Sequence, residues 1–454
     1  MQQYDEQINR IKEKLSAARL KDTQLKVFGA DHHTYYLDNP IDPTQLTSFE
    51  AAYQVVLPHA YKAFLCQVGN GGKSYMDAAA GPFYGIYPFG KHLDDLTTDP
   101  KTYLSRPAKI YPYMSDSRWT ALNREIDSEP PLSDELYEAA VGNLFAGILP
   151  IGSQGCTYIH GLVLNGAHQG KVVNMDTDRQ KPVFTFEDNF LDWYERWLDE
   201  IISGDLLNEN AGWFGYTIGG TVHSLLEKFH TLTIPEAKTA CLKGILSKAH
   251  ITDAEAAIIE SKYLAAAAGY QELWLNILVK FRYDQAVPHL ITYSHISLLP
   301  VFQFVFWYAK DKARDWLPVI EKQRHQITDE ETFRFCTYLL EAMAIDYGYL
   351  VVPFTRHAQE AIRQTAFYAL GELKRKADYI AIFITGLGDP SNVVVHATLQ
   401  ALQGIKDPRL LYHYKKITNR FPDEQDYILA NLEHRLAENG LSVAELRKIE
   451  PEGM

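Results

Sequence analysis

Two kinds of apolar spacing divide this sequence, and the division constrains the fold more than any other feature. Beyond residue 220 nearly every stretch carries helical periodicity. Helices are predicted near 237–250, 253–268, 270–279, 283–290, 297–309, 314–325, 329–345, 356–373, 376–387, 391–403 and 407–416. The breaks between them are short, so successive helices must run antiparallel. Before residue 210 the apolar residues alternate, cluster or stop at Gly and Pro, which predicts mixed helix and strand. The expected architecture is an α+β domain with a single sheet and flanking helices, followed by an all-α helical-repeat, solenoid-like domain. The 454 residues, 46% apolar and 22% charged, suit a globular chain of this kind.

Ile8, Ile11, Leu15 and Ala18 set a helix over 5–20. Val27–Leu37, with His32 and His33, reads as a short strand. Thr47 or Ser48 is expected to cap a helix ending before Leu57. Pro58 then opens another, whose face is Tyr61, Phe64, Leu65 and Val68 and which stops at Gly69-Asn70-Gly71-Gly72. Gly81 to Phe89 reads as an edge or bulged strand, and 98–140 as a long excursion with little regular structure before a helix at 134–140. Runs over 144–164 and 170–175 flank Asn165-Gly166 as a hairpin. In the segment FEDNFLDWYERWLDEII, Phe190, Tyr194, Trp197 and Ile201 share one helical face, and Ser203-Gly204-Asp205 ends it.

An internal echo follows. Ile362-Arg363 and Ala369-Leu370-Gly371 recur 32 residues later as Val394-Val395 and Ala401-Leu402. A helix pair that cannot bury its own apolar face stacks on the next, as in a solenoid. The expected limits are 1–210 for the α+β domain, 211–220 for a glycine-rich linker, 221–440 for the helical domain and 441–454 for a tail.

The net charge of −13 is unevenly spread: residues 1–210 hold 18 Lys+Arg against 29 Asp+Glu, and the remainder 26 against 28. An acidic first half disfavours nucleic acid, whose binding needs basic groups to displace counterions; it is compatible with a basic protein partner, and equally with a charge that serves solubility. No apolar stretch reaches membrane-spanning length, and the N-terminus is too polar for a signal peptide, so a cytoplasmic protein is expected. Cys66, Cys156, Cys241 and Cys336 are widely spaced and predict reduced, mostly buried thiols.

Candidate chemistry is thin. Adjacent His32 and His33 point apart in a strand and read as surface histidines rather than metal ligands. Cys156 and His160, four apart in a strand, lie roughly 13 Å from one another, too far for proton transfer. Asp176-Thr177-Asp178, with Asp188 and Asp192, reads as an acidic turn; two carboxylates alone seldom hold a divalent cation. Gly69-Asn70-Gly71-Gly72 ends a helix, so it lacks the anion-binding geometry of a phosphate loop. Lys374-Arg375-Lys376 complements a helix C-terminus. No catalytic residue, metal or cofactor is expected. The aromatics are the stronger signal, with 28 tyrosines in the chain. Tyr84, Tyr87, Tyr103, Tyr111, Tyr113 and Trp119, with Asp94, Asp95 and Asp116 to steer a basic partner, form the expected protein contact; Asp127 and Glu129 flank it.

Three ordered pieces carry a resemblance. They are Leu57-Pro58-x-x-Tyr61-x-x-Phe64-Leu65 into Gly69-Asn70-Gly71-Gly72; Gly81-Pro82-x-Tyr84-Gly85-Ile86; and Gly152-x-x-Gly155-Cys156-Thr157-Tyr158 with the distal Trp193 and Trp197. In this order residues 45–202 resemble the SUKH superfamily, which includes the Smi/Knr cell-wall regulators. The resemblance implies a single-sheet α+β domain whose motif glycines and aromatics, and Cys156, are structural. It also implies a non-enzymatic role: many bacterial members bind and neutralise a toxin, often a nuclease, and others are scaffolds. The stretch 98–140 and the helical half depart from the usual pattern. Residues 355–415 more weakly resemble HEAT-like repeats, which implies a protein-binding solenoid. Toxin immunity is therefore the leading expectation. A scaffold binding through the helical half is the alternative, and a metal-dependent hydrolase using Asp176, Asp178 and Asp188 is the third.

Overall fold

The apolar runs between Ile148 and Met175 become the middle of one sheet. The chain is described by a computed structural model that covers residues 2–208, 212–421 and 426–449. Its strands are β1 (Gly85–Ile86), β2 (Ile148–Gly155), β3 (Tyr158–Val163), β4 (Val172–Asp176) and β5 (Val183–Phe184). They lie in the order β1-β2-β3-β4-β5 with every neighbour antiparallel. The expected edge strand is therefore present, though only two residues long, and the hairpin around Asn165-Gly166 is β3–β4. Along β2 the register slips twice: Pro150 faces Gly161, Gly152 faces His160 and Gly155 faces Tyr158, which leaves Ile151 and Gln154 as extra residues. Such bulges bend a strand and re-aim side chains.

Both sheet faces are covered. Leu149, Ile151, Leu162, Leu164 and Val172 pack beneath the helices Asp5–Lys21, Pro43–Tyr53, His59–Gln67 and Phe190–Ser203. The predicted stripe of Phe190, Tyr194, Trp197 and Ile201 is fully inside, and Gly204 ends that helix with φ +92°. Ile148, Ile159, Val163, Val173, Met175 and Phe184 pack on the other face against Ile110, Met114, Trp119, Ile126 and Leu144. Continuous apolar strands follow from burial on both sides.

Three expectations are corrected. The excursion 98–140 is structured: helices Pro100–Tyr103, Asp116–Asn123 and Asp134–Leu144 form the lid over the second face. Apolar residues dispersed between Pro and Ser reach that core without a period that sequence can display. Val27–Leu37 holds a helical turn, Ala30–His33, instead of a strand. The helix after residue 42 is capped by Asp42, whose carboxylate accepts from Thr44 N at 2.8 Å, with Pro43 as first helical residue. Thr47 lies inside that helix, its hydroxyl directed to Pro43 O.

Contacts divide the chain into two compact units, Met1–Ala257 and Ile258–Met454. The glycine-rich stretch after residue 211 packs on the sheet domain. Phe214 faces the Arg196 guanidinium, Tyr216 donates to Gln154 Oε1 at 3.0 Å and Thr217 O accepts from Arg196 at 2.6 Å.

The second unit is all helical, and its helices pack on their next-but-one neighbours. Ala268–Phe281, Leu298–Tyr308, Glu330–Ala342, Glu360–Gly371, Asn392–Ala401 and Asp426–Ala437 each touch the next in that series. Ile380–Leu387, Arg409–Arg420 and Val443–Lys448 do the same. The 32-residue echo marks a close approach of two helices: a Cβ on Gly371 would lie 2.8 Å from Ala401. Ile362, Ala369, Leu370, Val394, Val395, Ala401 and Leu402 are all buried.

Candidate functional site

The residues that sequence singles out fall into three places. The first is a buried polar cluster behind the bulge of β2. Gln154 Nε2 donates to Asn174 Oδ1 at 2.9 Å and to Ile159 O at 3.2 Å, and the His160 ring nitrogen Nδ1 sits 3.2 Å from Asn174 Oδ1. His160 lies between Phe83 and Trp193, wholly inside, and burial pushes its pKa down to about 3. A neutral, enclosed imidazole bound to amides is an element of the core. Cys156 is not its partner. It stands exposed in the β2–β3 turn with φ +49°, which corrects the expected packing role; an L-residue is held there because the turn needs a left-handed step. Cys241 and Cys336 are buried as expected, and Cys66 is half-buried.

The second is the acidic turn. Asp176 Oδ1 accepts from Asp178 N at 3.0 Å, which closes the turn after β4, while Asp188 pairs with Lys171 at 3.1 Å. Among the described residues no three His, Cys, Asp or Glu side chains are placed to share a metal ion. His33 is also corrected. It is buried rather than on the surface, with its ring against Tyr35 and Trp197, Nδ1 accepting from Tyr35 N at 3.0 Å, and its pKa lowered by burial to about 4. His32, one residue earlier, is exposed.

The third place is open to solvent. A groove of about 580 Å³ is lined by His32, Tyr75, Met76, Tyr84, Tyr87, Asp95 and Cys156, with Ser153, Gly155, Ile159 and Thr177 as its floor. Asp95 and Thr177 also line a neighbouring recess of about 400 Å³ with Asp94, Asp134, Tyr137 and Glu138. On the other side, Tyr84 meets Phe28 edge-on at 5.5 Å, and Phe28 meets Trp213 at 5.5 Å. Phe28, Tyr75 and Trp213 are 51%, 58% and 61% exposed, far more than an aromatic residue with a merely structural task needs. Met76, Asp77, Phe83, His92 and Cys156, all at the groove or next to it, have φ between +49° and +59°. Non-glycine residues hold that conformation at a cost, and such costs gather where a surface must keep a particular shape.

Of the expected contact residues, Tyr84, Tyr87, Asp94 and Asp95 meet in this groove and its recess. Tyr111, Tyr113 and Asp116 are exposed, on the lid. Tyr87, Tyr103 and Trp119 are buried, with Trp119 Nε1 donating to Arg179 O at 3.2 Å. Burial pushes the Asp95 carboxyl up, against the hydrogen bond from Tyr87. Phe28, Tyr75, Trp213, Asp134 and Glu138 were missed, since their positions depend on chain segments distant in sequence meeting at one edge of the sheet.

The framework residues explain how the groove is held. Leu57, Pro58, Tyr61, Phe64 and Leu65 are buried, and Tyr61 and Phe64 contact Phe190 at 4.9 and 5.0 Å. Asn70 Oδ1 accepts from Phe89 N at 2.7 Å, which fixes the chain leaving β1. Around it, Gly69, Gly71 and Gly72 bring backbone segments together, and Gly81 with Pro82 leads to Tyr84. At Gly85, φ is +103° and a Cβ would lie 2.0 Å from Ala79 O; at Gly152 it would lie 2.4 Å from Gly85 O. Gly155 leaves room for the Tyr84 ring, and Trp193 and Trp197 close the core below. This is the ordered glycine and aromatic set that carried the resemblance.

Residues 40–196 match the SMI1 / KNR4 family (SUKH-1). Comparison with curated proteins and with solved structures gives no match. The SUKH match thus includes β1 to β5, the lid and the first half of the aromatic helix. Phe28, His32 and Trp213 of the exposed surface lie outside it. Among the described residues no helix is long and apolar enough to cross a membrane.

Proposed function

We propose that this chain is a non-enzymatic protein-binding module of the toxin-immunity type, acting in the cytoplasm by occluding a protein toxin. The match of residues 40–196 to the SUKH-1 family carries the reading. The open groove supports it, because its aromatic and carboxylate lining suits a protein surface. On this reading Tyr84, Asp94, Asp95, Tyr111, Tyr113 and Asp116 belong to the contact region, the buried Tyr87 supports it through its hydrogen bond to Asp95, Tyr103 and Trp119 hold the lid beneath it, and the partner is basic. The direct test is to coexpress it with a toxin domain found encoded next to its gene. Restored growth together with a copurifying stoichiometric complex is expected; persistent toxicity with no complex defeats the immunity role.

One observation favours a second reading, a scaffold binding through HEAT-like repeats. The next-but-one stacking of helices brings Phe306, Trp307, Phe335 and Tyr338 into one cluster with Trp307 half-exposed. A partner that survives Trp307→Ala but is lost on Tyr84→Ala argues against it.

A further inference from the structure

We propose that the partner enters as an extended, arginine-bearing segment that lies along a single track: the aromatic shelf of Phe28 and Trp213, the Tyr84 groove, and the acidic recess. This rests on the protein-binding reading and specifies the partner's chemistry there. Continuity is the first argument. Tyr84 belongs to both shelf and groove, and Asp95 and Thr177 belong to both groove and recess. A compact knob fills one of these; a stretched chain meets all three.

Charge is the second argument. The groove and recess are lined by Asp94, Asp95, Asp134 and Glu138, and no lysine or arginine is among the described lining residues. Asp95 is half-buried and forms no ion pair with a lysine or arginine among the described residues; Tyr87, His92 and Asp94 surround it. A desolvated carboxylate without a cation gains more from one than a solvated carboxylate does. The third argument is the kind of cation. A guanidinium stacks on aromatic faces and forks onto carboxylates, and this surface offers both, rings at the shelf and groove and carboxylates at the groove and recess. An ammonium group satisfies only the carboxylates. Two of the shelf rings, Phe28 and Trp213, lie outside the family match.

The test uses the full-length protein and fluorescein-labelled nona-arginine, read by anisotropy at about physiological salt, with nona-lysine and nona-glutamate as comparison peptides. The triple variant Asp94→Asn, Asp95→Asn, Glu138→Gln is expected to weaken nona-arginine about tenfold or more. Glu13→Gln, Glu236→Gln, Glu331→Gln removes the same charge elsewhere and is expected to change affinity less than about twofold. Trp213→Ala, an exposed position whose loss leaves the core intact, is expected to weaken nona-arginine about threefold and nona-lysine hardly at all. Equal losses in the two triple variants overturn the proposal. So does no binding by the wild type, or equal response of both basic peptides to Trp213→Ala. The two readings separate in the toxin assay. If the groove triple variant still neutralises a toxin that the wild type neutralises, the track falls and immunity stands. If the track binds nona-arginine but no protection occurs, immunity falls and the track stands.

Discussion

His33 and His160 show how one residue type takes its properties from its surroundings. Each is enclosed, and burial holds their pKa values at about 4 and about 3. In the unfolded chain both return to about 6.5. Below that value the unfolded state binds protons that the native state refuses, so stability falls with falling pH. Between pH 7 and pH 5 each ring should cost about 2 kcal/mol. Urea midpoints measured across that window should show the loss, and His33→Asn should remove about half of it. His32 next door carries none of this, because it faces solvent. Sequence shows two adjacent histidines; only packing says which one is inside. Gly85 is the opposite case, a residue legible from its motif. With φ +103° and Ala79 O in the space of a Cβ, Gly85→Ala should destabilise by about 3 kcal/mol and detach β1 from β2. Amide exchange at Ile86 measures the detachment.

At the level of elements, periodicity was readable where one face decides the fate of a segment. The helix Phe190–Ser203 formed with the predicted stripe inside, and the hairpin turned at Asn165-Gly166. Of the lid, only the helix Asp134–Leu144 was readable. Its helices are short, and Ile110, Met114, Trp119 and Ile126 follow no single period, since each drops into the sheet from a different local geometry. The clue that went unused lies in the strands: Ile148 to Ile151 and Val172-Val173 are apolar at consecutive positions, which requires cover on both faces. Trp119→Ala tests the lid. Removing a buried indole and its bond to Arg179 O should cost about 3–4 kcal/mol in urea unfolding. A change below about 1 kcal/mol contradicts a lid that belongs to the core.

On the scale of the whole molecule, the segment after the SUKH match joins the sheet domain. Tyr216 bonds to Gln154, Arg196 to Thr217 O, and Lys248 to Asp205 at 2.9 Å. A fragment of residues 1–250 should therefore melt several degrees above a fragment of residues 1–210, which lacks all three contacts. Equal melting temperatures show that these contacts contribute nothing net.

Sequence alone determined the change from mixed to helical architecture, the aromatic helix, the central hairpin and the glycine-aromatic framework, because these follow from local conformational preference and the period of apolar residues. Tertiary structure decided which tyrosines and histidines face water, how 98–140 covers the sheet, and that Phe28, Tyr84 and Trp213 share one surface. Those outcomes depend on segments distant in sequence coming together, and no local pattern encodes such a meeting.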